Sequence, residues 1–97
     1  MEDALYLSSL YDIYSELLTE KQRHYFEDYY FNNLTLSEMA ENYDVSRNAV
    51  HKQVKDACDK LIYYEEVLHL KRKEEQILQL LEEVEDQEIK ERIKELL

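Results

Sequence analysis

The chain contains no glycine and no proline in 97 residues, where average usage would supply about a dozen. Every turn that needs a positive φ must then be made by Asn, Asp or another residue that bears the strain. A fold built on many tight hairpins is excluded in practice. The apolar residues follow helical spacing almost from end to end, so the chain is expected to be all-α. With 44% hydrophobic residues and eleven aromatics, it can bury a real core as one domain.

The most informative stretch runs from Leu18 to Leu61. Thr35 followed by Glu38 is a capping box, in which the hydroxyl accepts from an orphan N–H and the carboxylate reaches back. Leu36, Met39, Ala40 and Tyr43 then share one helical face, predicting a helix over 36–43. Asp44 sits in the turn, where a left-handed residue is wanted. Ser46 is a second N-cap, and Val50, Val54, Ala57 and Leu61 continue the inward stripe behind it. Two short capped helices across a tight turn form a helix-turn-helix, which presents its second helix to a major groove.

Turning Val50 and Val54 inward places Arg47, Asn48, His51, Lys52 and Lys55 on the outer face of that second helix. Between Ser46 and Lys55 there are three bases and no acid. Arg and Asn make bidentate contacts to guanine and adenine edges, and Lys suits phosphate. Ser46 and Thr35, at helix N-termini, are candidates for phosphate contacts as well. A polar helix face is more often simply solvated. The surrounding charge weighs on that side. The chain carries 23 acidic and 12 basic residues, a net charge of −11. Residues 1–18, 19–66 and 67–97 are each net acidic. Counterion release needs clustered cations, and the general field repels a polyanion. Tight binding to DNA by the lone chain is not expected.

Other chemistry finds little support. His24, His51 and His69 lie on separate segments, and none has a His or Cys at the spacing a metal site prefers. No glycine-rich loop is present to cradle phosphates. No cofactor and no enzymatic activity are expected. Cys58, the only cysteine, has core spacing from Val54 and Leu61 and cannot form an intramolecular disulfide. No apolar run approaches a membrane span, and the N-terminus lacks a basic flank, so a cytoplasmic protein is the default expectation. Nine tyrosines suit either the edge of a small core or a protein–protein surface, since a buried hydroxyl needs a partner.

Around the motif, the spacing predicts a first helix over 2–18, with Ala4, Leu7, Leu10, Tyr11, Tyr14, Leu17 and Leu18 inward. A second helix starts from the Thr19–Gln22 capping box and runs to about Phe31, with Tyr25, Phe26, Tyr29 and Tyr30 inward. Asn32-Asn33 is a loop signal. From Arg47 a long helix carries positions 50, 54, 57, 61, 64 and 68 as a seam, with a break expected near His69. Lys71 to Glu75 reads as a solvated charge run. Helical pattern resumes with Ile77, Leu78, Leu81 and Val84, and Asp86 caps a last short helix carrying Ile89, Ile93, Leu96 and Leu97. The expected organisation is an N-terminal helix plus helix-turn-helix core over 1–68 and a helical extension over 69–97, in one compact unit. Helix 1, Leu61, Tyr64 and Leu68, and Ile77, Leu81 and Val84 offer more apolar surface than one small core covers. A homodimer or higher oligomer is therefore expected.

Two resemblances follow from these residues. Leu18-Thr19-Glu20-Lys21-Gln22-Arg23, Leu36-Ser37-Glu38-Met39-Ala40 and Val45-Ser46-Arg47-Asn48-Ala49-Val50 resemble region 4 of bacterial sigma factors, whose second motif helix reads a promoter element. That resemblance covers about half the chain and implies a three- to four-helix core with additional C-terminal helices. Over its whole length the chain is similar to the YlxM family of helix-turn-helix proteins, with Tyr6-Leu7-Ser8-Ser9-Leu10-Tyr11-Asp12, Tyr14 and Leu17-Leu18-Thr19 matching its first helix. This resemblance implies a small bacterial regulator or an accessory of the signal recognition particle pathway. The implied partners are DNA, or the RNA and proteins of that particle. Asp44 and His69 stand where glycine is common in such folds.

Overall fold

The structure, a computed structural model, describes residues 3–97. It is all-helical, with six α-helices and no strand among the described residues. Helix α1 spans Ala4–Tyr14, α2 Glu20–Tyr30, α3 Leu36–Tyr43, α4 Arg47–Leu68, α5 Leu70–Leu81 and α6 Gln87–Lys94.

Local chemistry explains most of these boundaries. Asp3 accepts from the Leu5 N–H at 3.0 Å and starts α1. Both halves of the two capping boxes form. Thr19 Oγ1 accepts from Gln22 N at 3.1 Å and Gln22 Oε1 from Thr19 N at 2.9 Å. Thr35 and Glu38 do the same at 3.0 and 3.1 Å. Ser46 Oγ caps α4 by accepting from Ala49 N at 3.1 Å, and Asp86 caps α6 through Glu88 N and Ile89 N. With no glycine available, three of the described residues take the left-handed conformation: Asn33, Asp44 and His69, with φ of 55°, 55° and 56°. Asp44 closes α3 in a Schellman arrangement. Val45 N donates to Ala40 O and Asp44 N to Glu41 O.

Helix α1 is shorter than its spacing predicts. It gives way at Tyr14 to a 3-10 turn over Ser15–Leu17, and Leu18 is extended at φ −85°, ψ 154°. Residue 2 of the predicted helix lies outside the described residues. Leu18 takes the core position as the chain turns toward α2, leaving Leu17 exposed. Ala4, in the first turn, is also exposed. Leu68, expected at the end of the α4 seam, is 40% exposed because the chain swings away at His69. The break near His69 and the cap at Asp86 stand as expected.

Helix α4 is the axis of the core, with α1, α2 and α3 packed on it. Leu7, Leu10, Phe26, Met39, Val50, Val54, Ala57 and Leu61 are inaccessible to solvent. Tyr11 stacks on Phe26 with ring centroids 4.7 Å apart, and Phe31 meets both rings edge-on. Tyrosines lie mostly at the rim of this core. Their hydroxyls find carboxylates: Tyr11 donates to Glu27 and Tyr43 to Asp28. Cys58 is buried against Tyr30, whose hydroxyl lies 3.6 Å from Sγ.

Helices α5 and α6 form a helical hairpin at the far end of α4 from the motif. Helix α5 packs on α1 and α4. The chain returns along α6 until Leu97 shares a cavity with Ile13, Leu70 and Ile77. The molecule measures 56 × 24 × 21 Å, with a radius of gyration of 17.1 Å. A compact chain of this length would have about 12.5 Å. The charge run 71–75 is not wholly solvated, since Lys71 and Glu74 are half-buried and α5 already begins at Leu70. Of the stripe expected to be free for a second copy, Leu81 is buried and Ile77 and Val84 are half-buried within the chain.

Candidate nucleic-acid interface

The motif places its proposed contact residues together. Val50 and Val54 are fully buried, and Arg47, Asn48, His51, Lys52 and Lys55 are all exposed on the opposite side of α4. The Schellman turn at Asp44 and the cap at Ser46 fix the direction in which α4 leaves α3.

The charges of the strip are less available than the sequence window from Ser46 to Lys55 implies. Lys52 Nζ pairs with Asp56 Oδ2 at 2.9 Å, and Lys55 Nζ with Asp59 Oδ2 at 2.7 Å. Hydrogen bonding to Asp59 and its charge push the Lys55 ammonium above the ordinary lysine range. Such exposed pairs contribute little to stability, but they place two carboxylates one turn behind the two ammonium groups. Asp56 and Asp59 lie just beyond the acid-free window, and their i, i+4 spacing from the lysines is the signal that would have found them. Arg47 is the one base of the strip with no ion pair among the described residues. It borders a shallow depression lined by Tyr29, Tyr30, Asn33, Leu34 and Thr35, a neighbourhood that sequence periodicity did not reveal.

The two helix N-termini also differ. The hydroxyls of Thr35 and Ser46 are both occupied by their own caps, so contact to phosphate there falls to the first-turn backbone N–H groups. At α3, the Glu38 carboxylate lies on the Thr35 N–H and adds negative charge. At α4, the first turn holds no acid and begins with Arg47. The N-terminus of α4 is therefore the better anion site of the two.

His24, His51 and His69 remain apart. Among the described residues no group of three or more His, Cys, Asp or Glu side chains is placed to hold a metal ion. Among the described residues no helix is long and apolar enough to cross a membrane.

Two capped helices joined through a left-handed turn, with the second helix exposed along one polar face, define a helix-turn-helix protein. The family described as "Putative helix-turn-helix protein, YlxM / p13 like" matches residues 1–97. Among its relatives, the chain is 41% identical over 92 residues to a UPF0122 protein of Mycoplasma capricolum, covering 95% of this chain and 81% of the relative. It is 42% identical over 86 residues to one of Geobacillus kaustophilus, covering 89% and 78%. It is 46% identical over 78 residues to one of Oceanobacillus iheyensis, covering 80% and 74%. The chain belongs to this family.

Proposed function

We propose that the protein is a regulatory helix-turn-helix protein that engages duplex nucleic acid weakly, through the first turns of α4. One observation carries this reading. Arg47, Asn48 and His51 project from an exposed, capped helix start whose first turn holds no acid. Arg47 and Asn48 supply base-edge chemistry, and the free N–H groups at the α4 N-terminus supply phosphate contacts. The net charge of −11 and the Lys52–Asp56 and Lys55–Asp59 pairs keep the affinity low.

The same pairs favour a second reading. With its lysines neutralised, the strip also suits protein or ribonucleoprotein contacts, as in an accessory of the signal recognition particle. Salt separates the two. Nucleic-acid binding weakens steeply as salt rises, whereas a protein contact need not. Titrations of labelled duplex DNA, structured RNA and random sequence at two salt concentrations test both. Measurable duplex binding at low salt that falls with salt supports the first reading. No binding to DNA or RNA at low salt overturns it and leaves the protein-contact reading.

A further inference from the structure

Helices α4 and α5 meet at His69 without a breaker. The joining stretch is Glu65-Glu66-Val67-Leu68-His69-Leu70-Lys71-Arg72, none of which excludes a helix interior. The bend is imposed from outside it. His69 stands in left-handed conformation at φ 56°, ψ 27°, with no side-chain cap, a strain for a residue with a Cβ. The N–H groups of Leu70, Lys71 and Arg72 donate to the Tyr14 hydroxyl and the two Glu65 carboxylate oxygens. In an uninterrupted helix the same three donors would find the carbonyls of Glu66, Val67 and Leu68, four residues back. Straightening thus exchanges three hydrogen bonds for three and relieves His69. What opposes it is Glu65, whose carboxylate gives up two backbone donors.

A chain straightened here runs as one helix from Arg47 to Leu81, about 52 Å long. Its arm, α5 with α6, then leaves α1. In the bent form Leu81 is buried, and Leu70 and Ile77 share a cavity with Ile13. A lone straight chain would turn these apolar contacts out to water. One surface restores them: α1 of a second straight copy, which presents the residues the arm already packs on.

We propose that His69 is the hinge of an arm exchange, through which two copies of the chain dimerise with each α5 seated on the α1 of its partner. The single chain itself identifies the occupant, because the contacts of an exchanged arm are those it makes at home. Exchange of an identical element is a low-cost route to a dimer. Hydrogen bonds and apolar burial nearly balance between the two forms. Relief at two hinges then stands against the lost freedom of association and the two Glu65 carboxylates, so concentration decides.

This inference does not rest on nucleic-acid binding. The test uses the full chain carrying Asp12→Cys and Glu75→Cys, two exposed positions that line one cavity between α1 and α5. Cys58 is buried and should not react. After equilibration up to submillimolar concentration, monomer and dimer are separated by size exclusion, treated with a short bis-maleimide and denatured. The monomer should give internally linked single chains, which shows that the α1–α5 contact is formed. The dimer should stay covalent at twice the 11.9 kDa chain mass. In the otherwise wild-type chain, His69→Ala favours the straight helix and should lower the dimer Kd by roughly tenfold or more, and His69→Gly favours the bend and should raise it as much. A wild-type chain that stays monomeric throughout the range overturns the proposal, whatever the variants do. So does a dimer that denatures to internally linked single chains, or one indifferent to both replacements of His69.

Discussion

Tyr14 and Glu65, fifty-one positions apart, meet inside the molecule, the Tyr14 hydroxyl donating to Glu65 Oε1 at 2.7 Å. The pair replaces a missing helix cap. His69, in left-handed conformation, offers no side-chain cap to α5. Instead Leu70 N donates to Tyr14 Oη at 3.1 Å, Lys71 N to Glu65 Oε1 at 3.0 Å and Arg72 N to Glu65 Oε2 at 3.1 Å. Three orphan donors of α5 are satisfied from α1 and α4, and a buried carboxylate sits where the helix dipole favours negative charge.

Removing that carboxylate should loosen the arm. Glu65→Ala leaves a tyrosine hydroxyl and two backbone N–H groups without their partner, at a cost of about 2–4 kcal/mol. Tyr14→Phe should cost less, about 1–2 kcal/mol, since Glu65 keeps both backbone donors. Amide hydrogen exchange at residues 70–72 is the sensitive measure. Unchanged protection in Glu65→Ala would show that the cap does not hold α5.

The pH dependence of this cap has a defined sign. Burial alone would raise the Glu65 pKa, but the hydrogen bonds from Tyr14, Lys71 N–H and Arg72 N–H outweigh it and hold the carboxyl below its ordinary 4.5. A depressed folded pKa contributes stability above the unfolded value and loses it as pH falls through the folded one. The contribution should therefore be intact at neutral pH and disappear only below about pH 4.5. Chemical denaturation across acid pH should show that loss in wild type and a smaller one in Glu65→Gln.

At the alkaline end, Tyr11 and Tyr43 titrate late. Burial, then hydrogen bonding to Glu27 and to Asp28 respectively, push both to about 12. A raised folded pKa stabilises below the unfolded value of 10.0 and is lost as pH rises through the folded one. Absorbance at the phenolate band should show these two ionising well above the ordinary value of 10.0. Ionisation of all nine tyrosines in one step near the ordinary value would contradict the packing.

The contact strip predicts an unusual gain. Asp56→Asn and Asp59→Asn unpair Lys52 and Lys55 and remove charges that repel phosphate. Each should strengthen duplex binding about two- to fivefold, because an exposed pair competes only weakly for its ammonium group. Lys52→Ala and Lys55→Ala should weaken binding to all sequences alike and flatten the salt slope by about one per lost phosphate contact. Arg47→Ala or Asn48→Ala should relax sequence preference by about 1–3 kcal/mol. Anisotropy titrations of one panel of duplexes check all six substitutions. Equal affinity for wild type and Asp56→Asn would place phosphate elsewhere.

The left-handed residues give a stability test. Asp44→Gly and His69→Gly relieve a conformation costly for residues with a Cβ, by about 1 kcal/mol. That gain is opposed by the greater freedom of glycine in the unfolded chain. Asp44→Ala has no such relief and should be the least stable of the three. Thermal melts that rank Ala above Gly at position 44 would contradict the turn geometry.

Where a helix begins was legible whenever its cap lies within three residues of its start, as at Thr19, Thr35, Ser46 and Asp86. The turn at Asp44 was legible for the same reason, because its chemistry is local. Helix α5 starts without any such sign, since its cap comes from Glu65 and Tyr14. The early end of α1 was hidden too: Leu17 and Leu18 are equally apolar, and only the path toward α2 decides which one is buried. At the candidate interface, the exposed residues followed from periodicity alone. What escaped was Asp56 and Asp59, one helical turn past the stretch that seemed purely basic.

The cap on α5 also sets an order of events in the growing chain. Tyr14 is made early, yet both of its hydrogen-bond partners, Glu65 and Leu70, are translated more than fifty residues later. During synthesis the first helix must wait with its polar group unsettled while α2 and α3 emerge. Closure of that long loop carries an entropic cost that local contacts cannot offset. Stalled chains released before residue 65 should accordingly leave Tyr14 open to solvent, readable as quenchable tyrosine fluorescence. The last part of the core to lock is thus the part synthesised first.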